Sequence, residues 1–121
     1  MKNKALIIDD DVTLCELGTE MFEILGVEAA SAMKLNEAVT FFRQNHESIK
    51  LVIFDLNLEE ATGIEVFQEL KKIDDQFIGI LTSGVFIEED AKAYKEIGFK
   101  DIILNPYSLS NLKDLIAEYI N

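Results

Sequence analysis

Ala5-Leu6-Ile7-Ile8-Asp9-Asp10-Asp11 is a short apolar run that ends abruptly in three carboxylates, and Leu51-Val52-Ile53-Phe54-Asp55 ends a second run in the same way. Continuous apolar stretches without polar alternation read as strands buried on both faces of a parallel sheet. Chain direction then brings these aspartates to the carboxyl edge of that sheet, the edge at which open α/β folds place their ligands. Working outward, amphipathic helices alternate with further strands. Leu14, Leu17, Met21, Phe22 and Leu25 fall at helical spacing, and Gly26 is a stop signal before a short strand near Val27 to Ala30. Leu35, Ala38, Val39 and Phe42 form the next stripe. Gly63, Val66, Phe67 and Leu70 carry a third helix, followed by a strand from Phe77 to Leu81. Ile87, Ala91, Tyr94 and Ile97 mark a fourth helix that ends at Gly98. Asp101 to Leu104 is the last strand, and the last helix runs from about Leu109 to Tyr119.

Five βα units with buried strands predict a doubly wound parallel sheet, because right-handed crossovers distribute the helices over both faces. With 121 residues the chain has the length of one domain, spanning 1–121, with no repeat, linker or low-complexity segment. No stretch approaches the ~18 consecutive apolar residues of a membrane span, and the first apolar run is cut short by aspartates, unlike a signal peptide. The expected location is the cytoplasm. A formal net charge of −12 argues against direct contact with nucleic acid or anionic lipid. Glu59, Glu60, Glu88, Glu89 and Asp90 read as a solvated acidic surface that would also steer a basic partner. The single cysteine, Cys15, reads as a small core thiol on the first helix, and His46 as a surface residue without partners at metal-ligand spacing.

A sheet of order 2-1-3-4-5 makes the first and third strands neighbours, so Asp9 and Asp10 lie beside Asp55. Such carboxylates repel one another unless a divalent cation or a proton neutralises them, and an all-oxygen, partly hydrated site suits Mg²⁺. The alternative is that Asp9 to Asp11 only cap the first helix. Asp11 fits that role, but capping accounts neither for three aspartates nor for Asp55.

Four segments in this order, Leu6-Ile7-Ile8-Asp9-Asp10-Asp11, Leu51 to Asn57 with Gly63 eight residues after Asp55, Ile80-Leu81-Thr82-Ser83-Gly84, and Asn105-Pro106-Tyr107, make the whole chain resemble the receiver domain of two-component response regulators. The resemblance implies a flavodoxin-like (βα)5 three-layer sandwich with strand order 2-1-3-4-5. It implies that Asp55 accepts a phosphoryl group from a histidine kinase or phosphotransfer protein. Asp10 and Asp55 match direct Mg²⁺ ligands, Asn57 contributes its backbone carbonyl, and Asp9 orients metal-bound water. Thr82 matches the hydroxyl that turns toward the phosphoryl oxygen, its bland alternative being a bond to a local backbone group. The Asn105–Pro106 bond matches one usually held cis. The surface of the fourth helix, fifth strand and fifth helix, with Tyr94, Lys95 and Lys113, matches a common partner or dimer face.

Three departures alter what the resemblance implies. Asn105 stands where the family has a lysine, Ile102 where many members have an aromatic switch residue, and Glu59 where a proline is common. Asn105 brings no charge, so the phosphorylated state loses a charge-assisted contact of roughly 1.5 to 3 kcal/mol. The expected function is a Mg²⁺-dependent phosphoacceptor and binding module, whose chemistry is limited to self-phosphorylation and slow hydrolysis. A pseudo-receiver that binds a partner without phosphorylation is the alternative. A phosphohydrolase using Asp55 as nucleophile is disfavoured, since Asn57 stands where such enzymes carry a general acid, and an amide cannot donate and recover a proton at neutral pH.

Overall fold

The computed structural model describes residues 2–85 and 88–120. In chain order the elements are β1 (Lys4–Ile8), α1 (Val12–Ile24), β2 (Ala29–Ala32), α2 (Leu35–Asn45), a 3-10 turn (His46–Ser48), β3 (Ile49–Asp55), α3 (Gly63–Ile73), β4 (Ile78–Ser83), α4 (Glu88–Ile97), β5 (Asp101–Leu104) and α5 (Leu109–Tyr119). All five strands are parallel, in the order β2-β1-β3-β4-β5. Ile87, placed by helical spacing in the fourth helix, lies outside the described residues.

Strand residues that are apolar at every position serve two cores at once, because successive side chains leave opposite faces of the sheet. Leu6, Ile8, Val52, Phe54 and Leu81 pack on one face with Ala38 and Phe42 of α2 and Val66, Phe67 and Leu70 of α3. Ala5, Ile7, Leu51, Ile53 and Ile80 pack on the other with Phe22 of α1 and Leu112 and Leu115 of α5. The first core is aromatic: Phe67 lies 4.2 Å from Phe99 and 5.6 Å from Phe54, centroid to centroid.

Two helices end by the same device. After α1, the Gly26 amide donates to the Glu23 carbonyl and the Val27 amide to the Phe22 carbonyl, while Gly26 takes φ +83°. After α4, Gly98 donates to Lys95 and Phe99 to Tyr94, with Gly98 at φ +134°. Both are Schellman closures, each followed by an apolar residue that turns into the core. Val27 is that residue after α1, and this moves β2 two positions beyond the predicted Val27 to Ala30, to Ala29–Ala32.

Two further expectations change. The buried face of α1 is Cys15, Gly18 and Phe22, whereas Leu17 of the predicted stripe is 48% exposed. A glycine adds nothing to a hydrophobic pattern, yet a Cβ on Gly18 would lie 2.6 Å from Ile7 Cδ1, so the helix approaches the sheet closely here. His46, expected at the surface, is half-buried, and its Nδ1 lies 2.7 Å from Asp74 Oδ2, which also accepts from Lys2 Nζ at 2.9 Å. That cluster ties the amino-terminal residues to the ends of α2 and α3. Among the described residues, no helix is long and apolar enough to cross a membrane.

Candidate functional site: an acidic cluster at the carboxyl edge of the sheet

Because β1 and β3 are neighbours in register, Ile8 beside Phe54, the residues that follow them emerge together. Asp9, Asp10 and Asp55 each bring a carboxylate oxygen to within 4.8 Å of the others. Asp9 is 2% exposed, and Asp10 and Asp55 are half-buried. Asp11 stands apart from them as the cap of α1, its Oδ1 accepting from the amides of Thr13 at 2.9 Å and Leu14 at 3.2 Å. The run of three aspartates thus divides into two cluster members and one cap.

The fold holds these side chains from several directions. The Asp11 amide donates to Asp9 Oδ1 at 2.9 Å, and the Asn57 amide donates to Asp55 Oδ1 at 3.2 Å. Gly63 opens α3 directly against β3, and a Cβ there would run into the Asp55 carbonyl; glycine is required for the helix to start so near the cluster. Asn57 is exposed in the loop between β3 and α3, bridged to Thr62, and Glu59 is exposed in the same loop.

Burial resists ionisation of Asp55 most strongly, and the Asp9 and Asp10 charges add to it; its pKa rises to about 6 despite the opposing Asn57 amide. Burial likewise pushes the Asp9 carboxyl above its ordinary value, opposed by the Asp11 amide and by a hydrogen bond from Asn105. The closeness of the Asp9 side chain further favours the protonated form of Asp55, as expected of neighbouring carboxyl groups that titrate together. An all-oxygen, anionic donor set strained in this way fits a hard divalent cation, which would neutralise the same charge that the proton neutralises.

Thr82 lies opposite Asp55 in the β3–β4 pairing. Strand β4 runs from Ile78 to Ser83, two residues beyond the apolar run that ends at Leu81, and Thr82 lies within it. It is 1% exposed and its hydroxyl donates to the Phe54 carbonyl at 3.4 Å, a long bond to a neighbouring strand. Asn105 follows β5, with its peptide bond to Pro106 cis, and its side chain reaches Asp9, while its own Oδ1 is buried without a hydrogen-bond partner. Ile102 is partly buried against the first core. Cys15 is buried, its thiol donating to the Asp9 carbonyl at 3.2 Å. Sequence reasoning passed over the burial of Tyr107, whose ring packs in the core with α1 and α5 and whose hydroxyl lies against Gly18 without a hydrogen-bond partner. A tyrosine immediately after the Asn105-Pro106 pair was the available signal.

Known proteins resemble this chain in sequence and in fold. A probable transcriptional regulator, ycf27, of Porphyridium aerugineum is 31% identical over 119 residues, covering 98% of this chain and 48% of the relative. The chain therefore spans about half the length of that regulator. Sporulation initiation phosphotransferase F of Bacillus subtilis (strain 168) is 25% identical over 123 residues, covering 99% of this chain and 95% of the relative. The crystal structure of a response regulator receiver domain protein from Clostridium thermocellum superposes with a TM-score of 0.89 at 28% identity, over 98% of this chain and 94% of that one. The sequence profile described as the response regulator receiver domain matches residues 5–117, and with the sheet order and the acidic edge it establishes that this chain belongs to the receiver-domain family of two-component response regulators.

Proposed function

We propose that the chain is a phosphoacceptor module in which Asp55 takes a phosphoryl group from a histidine kinase or a phosphotransfer protein. An Asp55 carboxylate oxygen forms the new O–P bond as the N–P bond to the donor histidine breaks, and slow attack of water on the acyl phosphate later returns the carboxylate and releases inorganic phosphate. The observation that carries this reading is the convergence of Asp9, Asp10 and Asp55 within 4.8 Å at the end of β3, beside Thr82. Mg²⁺ held by Asp9, Asp10, Asp55 and the Asn57 backbone would supply charge neutralisation on the phosphoryl oxygens. The protein's own part is to position the nucleophile through the Asn57 amide, to bury it, and to offer the Thr82 hydroxyl from the adjoining strand. No turnover of an external substrate is expected beyond this self-modification.

The test is incubation with acetyl phosphate and Mg²⁺, followed by intact-mass measurement. Wild type gains one phosphoryl group and Asp55→Asn gains none; a wild type that stays unmodified while a typical receiver is loaded would refute the proposal.

A second reading, a pseudo-receiver that binds a partner without phosphorylation, draws support from Asn105. The side chain at that position is a neutral amide, so no side-chain ammonium comes to the cluster from there. In either reading a partner or second copy would use the α4–β5–α5 surface. Ile97, Leu104 and Leu109 are exposed there, Leu104 by 53%, near the exposed Lys95 and Lys113.

A further inference from the structure

Five loops follow the strands at the carboxyl edge of the sheet, residues 9–11, 33–34, 56–62, 84–87 and 105–108. They carry Asp9, Asp10, Asp11, Glu59 and Glu60, and Asp55 ends β3 among them, yet Lys34 is their only lysine or arginine. Asn105, in the last of these loops, is neutral. Lys34 is therefore the one side-chain cation that the loops of this edge supply.

Local structure gives no reason for a lysine there. Lys34 is the residue before α2, with extended backbone at φ −137° and ψ 159°, and its side chain makes no capping hydrogen bond. Asp11, Thr62 and Ser108 hold the same position before α1, α3 and α5, and each accepts from an amide of its helix. An ammonium cannot accept, and it lies at the positive end of the helix dipole, where a cation is disfavoured. What the position does offer is a place beside the acidic cluster. With Asp10, Leu58, Glu59 and Glu60, Lys34 lines a cleft of about 40 Å³, room for only a few water molecules. Among the described residues Lys34 takes part in no ion pair, so its charge acts on Asp10 across that cleft without contact.

We propose that Lys34 is the resident counter-charge of the acidic site: its ammonium, set across the cleft from Asp10, opposes the divalent cation that the carboxylates attract and lowers the affinity of the site for Mg²⁺. The proposal rests on the reading of the cluster as a Mg²⁺ site. A unit charge acting on a divalent ion across a small hydrated gap changes affinity by roughly three- to tenfold. The consequence is a site that releases its ion more readily than the same carboxylates would without the lysine.

Calorimetric titration of wild type, Lys34→Met, Lys34→Arg and Lys100→Met with Mg²⁺ tests it. Lys34→Met keeps the length of the side chain and removes its charge, and should bind Mg²⁺ roughly three- to tenfold more tightly. Lys34→Arg keeps the charge and should match wild type. The gain in Lys34→Met should shrink in about 0.5 M KCl, because salt screens a field across a hydrated gap and leaves a packing effect in place. Lys100 is exposed at the opposite edge of the sheet, where its amide donates to the Gly79 carbonyl near the start of β4. Lys100→Met therefore changes the net charge equally and should leave the affinity unchanged. Equal or weaker binding by Lys34→Met would overturn the role of Lys34 and leave the metal site standing. Tighter binding by Lys100→Met to the same extent would also overturn it, reducing the effect to net charge. A wild type that does not bind Mg²⁺ would overturn both this inference and the functional reading beneath it.

Discussion

Replacing Asp55 with asparagine should stabilise the metal-free protein, and the size of the effect follows from the cluster's electrostatics. The Asp55 carboxyl is lifted from 3.8 to about 6, first by burial and then by Asp9 and Asp10. Between those values the folded chain keeps a proton that the unfolded chain has released, so stability falls as pH rises through the window and the loss is complete above it. One pKa unit corresponds to ~1.4 kcal/mol, which bounds the penalty near 3 kcal/mol; partial solvent exposure reduces it to about 1–2 kcal/mol. Asp55→Asn keeps the oxygen that accepts from the Asn57 amide and removes the charge. In chelator at about pH 7.5 the variant should be more stable by that amount, a rise in melting temperature of roughly 3–8 °C, and at about pH 4.5 the difference should shrink. Adding Mg²⁺ should raise wild type more than the variant, since a ligand that binds only the folded state stabilises it. Thermal melts at the two pH values, with chelator and with Mg²⁺, measure all four quantities. Equal metal-free stability at about pH 7.5 would show that the three carboxylates do not oppose one another, and the reasoning would fail.

Asn105→Lys should bring an ammonium toward Asp9, whose carboxyl the Asn105 side chain already favours in its charged form. The phosphorylated state should gain roughly 10- to 100-fold, from ~1.5 to 3 kcal/mol for one charge-assisted contact, and the melting response to Mg²⁺ should shrink. Unchanged phosphorylation yield and unchanged Mg²⁺ response would show that position 105 does not serve the cluster. Away from the site, Lys2 and His46 hold the Asp74 carboxyl well below the usual carboxylate range. That contribution is present above the ordinary carboxylate pKa and is lost as pH falls below it. Asp74→Asn should cost about 1–2 kcal/mol near neutrality in urea unfolding and flatten the acid side of the stability profile. An unchanged unfolding midpoint would show that the Lys2–Asp74–His46 cluster contributes nothing.

The sequence by itself determined the strands that matter most. Ala5 to Ile8 and Leu51 to Phe54 are apolar at every position, and a pattern that must satisfy two cores leaves no other consistent placement. It also determined the chemistry at their ends, because carboxylates following buried parallel strands emerge at one edge whatever the details of packing. Asp11 as the cap of α1 and Gly26 and Gly98 as helix stops were legible for the same reason, each being a local device read from neighbouring residues. Only the tertiary structure decided which face of α1 is buried, since Gly18 is selected by what Ile7 and Tyr107 occupy and carries no hydrophobic signal of its own. It also decided that β4 continues to Ser83, setting Thr82 against Asp55, and that His46 joins an aspartate 28 residues away. The turn of Asn105 toward Asp9 and the burial of the Tyr107 hydroxyl belong to the same class. Periodicity reports how a segment meets water and apolar surface in general, whereas these placements depend on the shape and charge of particular residues that the fold brings together from distant parts of the chain.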